Sequence, residues 1–409
     1  MLTLEPARRG RPARTKIALA LAGGGPLGAF YELGALHALS EAIEGRELVD
    51  FDVYTGVSSG ALIAAGLANG FDTTTMAAAF IDEGSSELPF SPAILLQPAI
   101  NEYGKRLRQL PAVLARAAQQ YMRDPMSGAW STAVGSVGRI VPAAVFDNEP
   151  LEEYLRALFT LPGHTDDFRE LRGRLYVVAT NLNTGEPVHF GGRAHDRVPI
   201  SRAVLASAAL PGLYAPVKIG GQYFVDGALV RTMNASLALG EGCNLVFCVN
   251  PLVPFDASRA KKRAHTNIAD EGLPAILSQT FRSLIYSRMK VGRASYRARY
   301  PSADQLLLEP DRHDERLFFA NVFRYAGRRR LAEHAYQCTR RDLLRQADAV
   351  SRMLARHGLR LNQRVLKERK RSLSTAASER RAHGRRALHG LDHALRELES
   401  LIPTASAGH

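Results

Sequence analysis

Cysteine is scarce in this chain of 409 residues. Only Cys243, Cys248 and Cys338 occur, with no CxxC pair and no Cys/His cluster along the sequence. That supply argues against a disulfide framework and against a zinc site. Small buried thiols in a reducing compartment are the expectation instead. Long apolar runs are missing too, and no stretch reaches the roughly eighteen residues a spanning helix needs. The run 17–22 is too short for a signal-peptide core and leads straight into glycines. A cytoplasmic chain is expected, peripheral on a membrane at most. Acidic charge is in deficit: 40 Asp and Glu against 53 Lys and Arg leave a net charge of +13. Such a surface favours anionic partners, either nucleic acid or phosphate-rich lipid headgroups. The most basic region, beyond residue 320, has no aromatic after Tyr336. Without stacking platforms, single-stranded nucleic acid has little to hold.

What the sequence does contain is a strand-turn-helix alternation. Residues 17–22 read as a short buried strand and 29–42 as a helix, with Phe30, Leu33, Leu36 and Leu39 at helical spacing. A second strand is expected over 51–54, a tight turn over 56–60 and a small-residue helix over 61–68. The pattern predicts an α/β fold with a mainly parallel central sheet. Further strands are expected at 175–180, 222–225, 245–249 and 305–308, the last after a long helix over about 276–299. Prolines at 89, 92, 98, 111 and 125 break up residues 84–145, which read as a helical insert. Residues 1–14 form a basic N-terminal segment, 15–310 the main domain and 311–409 a basic helical C-terminal extension. That extension reads as a solvated surface, an anionic-membrane contact or, least, a nucleic-acid contact.

Three short motifs carry the chemistry. Gly56-Val57-Ser58-Ser59-Gly60 is a G-x-S-x-G between a strand and a helix. Small residues there let strand and helix approach closely, so that a serine oxygen projects at the sheet edge. The alternative is a glycine-rich turn whose serine caps a helix. Ser58 is the central residue; Ser59 is expected to offer a backbone N–H or a cap. Gly23-Gly24-Gly25-Pro26-Leu27-Gly28 fits both a dinucleotide loop and an oxyanion loop, since both bind anions at a helix start. The dinucleotide reading wants an acid at the end of the second strand, whereas Asp50 and Asp52 stand at its start. Tyr223-Phe224-Val225-Asp226-Gly227-Ala228 ends a strand with an aspartate, a pattern that alone reads as a common Asp-Gly turn.

In this order the three motifs resemble those of the patatin-like phospholipase family. Residues 179–185 and 206–212 are similar to its mid-domain turn and to the run before its aspartate. The resemblance covers roughly residues 15–310. It implies a three-layer patatin-like fold and a serine hydrolase with a Ser-Asp dyad, Ser58 as nucleophile and Asp226 as base. The glycines at 23, 24, 25 and 28 then form the oxyanion motif, with Gly56, Ser59, Gly60, Gly227 and Ala228 as supporting turn residues. No metal and no organic cofactor is implied, and the substrate is a phospholipid or other acyl-ester lipid. Many relatives carry Arg or Lys where this chain has Leu27, so a cation is missing from the loop while its backbone donors remain.

Other readings remain open at this point: an esterase or thioesterase for soluble acyl substrates, a catalytically weak membrane-binding scaffold, or a dinucleotide-binding oxidoreductase. A conventional triad would recruit His265 or His313. His37 and His189 read as packed or hydrogen-bonded residues. Glu309, Asp311, Asp314 and Glu315 read as a solvated acidic loop and not as a metal site.

Overall fold

The computed structural model describes residues 1–8, 14–81, 89–99, 119, 144–230, 232–259, 267–319 and 325–375. In chain order the strands are β1 (Leu2–Glu5), β2 (Ile17–Leu21), β3 (Ile43–Glu44), β4 (Val53–Val57), β5 (Arg174–Asn181), β6 (Pro187–Phe190), β7 (Val217–Ile219), β8 (Gln222–Asp226), β9 (Leu245–Val249), β10 (Asp304–Leu308) and β11 (Arg360–Leu361). The helices are α1 (Gly25–Ala42), α2 (Ser59–Ala68), α3 (Thr73–Phe80), α4 (Glu149–Phe159), α5 (Ile200–Ala208), α6 (Ala235–Gly240), α7 (Leu273–Arg299), α8 (Glu315–Phe318), α9 (Tyr325–Arg345), α10 (Ala347–Ala355) and α11 (Gln363–Lys367).

Nine strands make one sheet in the order β1-β10-β9-β2-β4-β5-β8-β7, with β6 also paired to β5. The five from β10 to β5 are parallel, and β1, β6, β8 and β7 join antiparallel. The expected mainly parallel α/β sheet is therefore present. Both faces of the central strands are buried, which is why β2 and β9 read as continuous apolar runs. Along β2 the side chains alternate between layers. Ile17, Leu19 and Leu21 enter the large core with α1, α2 and α5. Ala18 and Ala20 face α6 and Met289 of α7, and their small size lets that layer lie close.

Two boundaries differ from the sequence expectation. Helix α1 starts at Gly25, because Pro26 fits the first turn, where its missing N–H costs nothing. Strand β4 runs on to Val57, paired through Gly56 and Val57 with β5, so no separate turn precedes Ser58.

The flanks are built into the fold. β1 pairs with β10, and β11 pairs with β3. Helix α9 lies on α1 so closely that a Cβ at Gly34 would run into the Ala332 carbonyl. Arginines expected on a solvated surface turn inward. Arg328 is buried and donates to the Phe80 and Phe90 carbonyls. Arg340 is buried and donates to the Val365 and Glu368 carbonyls, and Arg371 binds Glu41. Residues 376–409 lie outside the described residues. So does most of the expected insert, of which residues 92–96 form a 3-10 turn and Pro98 bridges to Phe146.

Candidate active site

The C-terminal ends of adjacent parallel strands are where open α/β sheets gather ligands. At that edge β4 ends and Ser58 takes φ 53° and ψ −124°, the N-cap position of α2. Positive φ in a non-glycine residue stores about 1–3 kcal/mol and persists only when the surroundings impose it. Here they do. A Cβ at Gly56 would stand 2.5 Å from the Ala61 Cα, and one at Gly60 would stand 2.6 Å from the Ala22 carbonyl oxygen. Strand, elbow and helix can meet this closely only with glycine at both places. The Ser58 N–H donates to Ser207 Oγ at 2.8 Å, and that hydroxyl donates to the Val178 carbonyl at 2.6 Å. Ser58 makes no side-chain cap, so its hydroxyl is left for other work.

That hydroxyl lies near enough to the Asp226 carboxylate to lower its pKa. β8 ends in Asp226, and its antiparallel register sets Asp226 opposite Ala179, one residue beyond the Val178 that pairs with Val57. Ser58 and Asp226 thus arrive level from two strands on either side of β5. Asp226 Oδ1 also accepts the Ala228 N–H at 2.8 Å. Burial pushes its carboxyl up to about 6, against the lowering effect of the Ala228 N–H and of nearby Ser58. Gly227 has no room for a side chain beside the Val178 carbonyl. The three motifs converge at Gly23, where a Cβ would lie 3.0 Å from Ser58 Cβ and 3.2 Å from Ala228 Cβ.

The glycine loop opens α1, with Gly24 at the N-cap and no side chain to satisfy the first N–H groups. Gly25 takes φ +59° with open space where a Cβ would be, and it is exposed. Pro251 packs over Gly24 and Gly28, with Cγ 2.6 and 2.9 Å from their missing Cβ positions. Buried Arg282 secures that cover by donating to the Val253 carbonyl at 3.3 Å and the Pro251 carbonyl at 3.5 Å. Leu27 is half-buried against the main core, so its side chain serves packing. Asp52 sits at the opposite edge, accepting the Ile17 N–H and pairing with Arg46. The acid a dinucleotide site needs is not at the end of β4, where the serine elbow stands instead.

Ser59 does not cap α2. It is the first helical residue, and its buried hydroxyl has no hydrogen-bond partner among the described residues. Sequence reasoning gave no role to Ser207, Pro251 or Arg282; Ser207 stood in the quoted 206–212 run, as a lone hydroxyl among small apolar residues. His265 lies outside the described residues. His313 bonds the Asp256 carbonyl at 3.1 Å and His37 bonds Thr73 at 3.0 Å. The acidic loop is not simply solvated. Glu309 is buried and accepts from Asn250, and Asp314 caps α8 and binds His334 at 2.6 Å. His334 and Cys338 stand one turn apart on α9, and folding adds Asp314: the ligand atoms of the three lie within 4.8 Å of one another. Arg341 donates to the Cys338 sulfur at 3.0 Å.

The chain is 25% identical to a cGAMP-activated phospholipase of Vibrio cholerae over 54% of its own length and 56% of that relative. It is 26% identical to an NTE family protein of Mycobacterium tuberculosis over 59% of its length and 31% of the relative. It therefore spans about half, or less, of the curated relatives it matches. Among solved structures, VipD from Legionella pneumophila aligns over 87% of this chain and 82% of that one, at 14% identity and a TM-score of 0.33. The profile of the patatin-like phospholipases matches residues 19–239, more than half of the chain and all three motifs, so the chain belongs to the patatin-like phospholipase family.

Proposed function

We propose that the protein is a lipid acyl hydrolase that cleaves fatty acyl esters of phospholipids or lysophospholipids through Ser58 and Asp226. The observation that carries this reading is Ser58, held at a positive-φ elbow and level with the buried carboxylate of Asp226 across β5. In the ionised state Asp226 takes the Ser58 proton as Oγ attacks the ester carbonyl. Negative charge collects on the carbonyl oxygen, and the N–H groups around Gly24 and Gly25 offer fixed donors for it. Collapse breaks the bond to the alcohol oxygen, which receives the proton from Asp226 and leaves an acyl ester on Ser58. Water then attacks, Asp226 takes its proton, and the second collapse releases the fatty acid and returns the proton to Ser58. The chain's own groups supply every proton and donor, so the reading calls for no metal or organic cofactor.

A lipid substrate makes a membrane surface the working partner. The basic region past residue 356 is one candidate contact, although Arg371 is committed to Glu41 and Glu368. The test is fatty-acid release from mixed phospholipid micelles. The expected result is release by wild type and none by Ser58→Ala. Turnover of monomeric short-chain esters alone, with intact micelles, would replace the lipid with a soluble acyl substrate.

A further inference from the structure

Large apolar side chains left exposed are unevenly placed. Of the twelve among the described residues, six lie on α7: Leu273, Ile276, Leu277, Phe281, Leu284 and Val291. At roughly 100° per residue, Leu273, Leu277, Leu284 and Val291 fall within an arc of about 40°. The residues α7 buries, Arg282, Ile285 and Met289, lie on the other side. Exposed Arg288 and Arg299 flank the apolar stripe on one side, and exposed Lys290 and Arg297 on the other. The helix contains six Lys and Arg and no Asp or Glu.

Its position ties it to the catalytic edge. Ile285 packs with Val57, Val178 and Ala228, the neighbours of Ser58 and Asp226. One turn earlier, Arg282 and Gln279 hold the 251–255 loop that covers the glycine loop. Residues before 279 therefore extend past the ends of the strands. Length requires this: 27 residues make a rod of about 40 Å, while a five-residue strand spans only about 17 Å. The overhanging end is the apolar end.

Resting on the lipid-hydrolase reading above, we propose that α7 is the bilayer-docking element and that its occupant is an anionic lipid surface. The stripe enters the boundary between headgroups and acyl chains, the flanking cations meet lipid phosphates, and the catalytic edge is held against the membrane. Among the described residues no helix is long and apolar enough to cross a membrane, so α7 lies on the surface. A second copy of the chain fits the stripe less well, because an all-cationic helix would face its own charge.

The test is sedimentation of the full chain with vesicles of phosphatidylcholine, with and without phosphatidylglycerol, alongside fluorophosphonate labelling of Ser58 in solution. Wild type is expected to co-sediment, more strongly with the anionic vesicles. Leu277→Glu with Leu284→Glu should weaken partitioning by about tenfold or more. Lys290→Gln and Arg297→Gln should each cost about fivefold, on anionic vesicles only. Leu277→Trp should blue-shift on vesicle binding, a readout that survives if the double glutamate variant does not fold. Wild type that labels at Ser58 yet stays in the supernatant overturns the docking proposal alone. So does a double variant that sediments like wild type, or a dimer in light scattering that Leu277→Glu dissociates. Vesicle binding through α7 without Ser58 labelling leaves docking standing and overturns the hydrolase reading.

Discussion

At the scale of single residues, Asp226 sets two opposed requirements. As the proposed base it must be ionised, and burial pushes its carboxyl up to about 6. Plotted against pH, kcat/KM is therefore expected to rise through about pH 6 and level off above it. Stability should move the other way. The folded carboxyl keeps its proton to about pH 6, whereas the free group releases it near 3.8. Its favourable contribution is thus present below pH 3.8 and lost as pH rises through 6. At pH 8 Asp226→Asn is expected to stabilise the fold by about 2 kcal/mol while abolishing turnover; a Tm below that of wild type would contradict the assignment. Ser207→Ala strips the Ser58 N–H of its acceptor, which should cost about 1–3 kcal/mol and lower kcat about tenfold with little change in KM. Ser58, Asp226 and the glycines were legible because each motif is contiguous and its chemistry is local. Ser207 and Pro251 were not, because they meet Ser58 and the glycine loop across gaps of more than a hundred residues, and Arg282 was not, because it acts only through Pro251. His334 and Cys338 stand one helical turn apart, but Asp314 reaches them from 20 residues away through the fold.

At the scale of elements, close approach governs what the chain tolerates. Gly34→Ala drives a methyl group into the Ala332 carbonyl at the α1–α9 crossing, and Gly60→Ala drives one into the Ala22 carbonyl, 2.6 Å away. Both are expected to destabilise by about 2–4 kcal/mol in denaturant melts. Gly25→Ala, with free space but positive φ, should cost only about 1 kcal/mol. Helix α1 shows why composition alone blurred the layers. It is apolar on every side because the sheet, α2 and α9 enclose it. Glu32 is buried in it with both carboxylate oxygens unpartnered among the described residues, and burial raises its carboxyl well above the usual range. The parallel strands were legible as apolar runs. The two-residue β3 and β11 and the three-residue β7 were not, since so few residues show no period.

Across the whole molecule, the C-terminal region closes the fold as much as it charges it. Ending the chain after residue 319 would strip α9 from α1, and the expected outcome is insoluble protein when soluble yield is measured against the full chain. The basic composition was legible, but not which cations would be spent internally, as Arg328, Arg340 and Arg371 are. Nor could sequence show where α7 lies, because that follows from the packing of Ile285 on Val57, Val178 and Ala228 and from the hold of Gln279 and Arg282 on the 251–255 loop. The serine and aspartate motifs meet at the strand ends on either side of β5, where the proposed Ser58–Asp226 dyad would act. The most direct measurement is intact-protein mass after fluorophosphonate treatment, for wild type, Ser58→Ala and Asp226→Asn. One adduct on wild type, mapped to Ser58, none on Ser58→Ala and strongly slowed labelling of Asp226→Asn are the predicted results. Equal labelling of all three, or an adduct mapped elsewhere, would contradict the Ser58–Asp226 dyad.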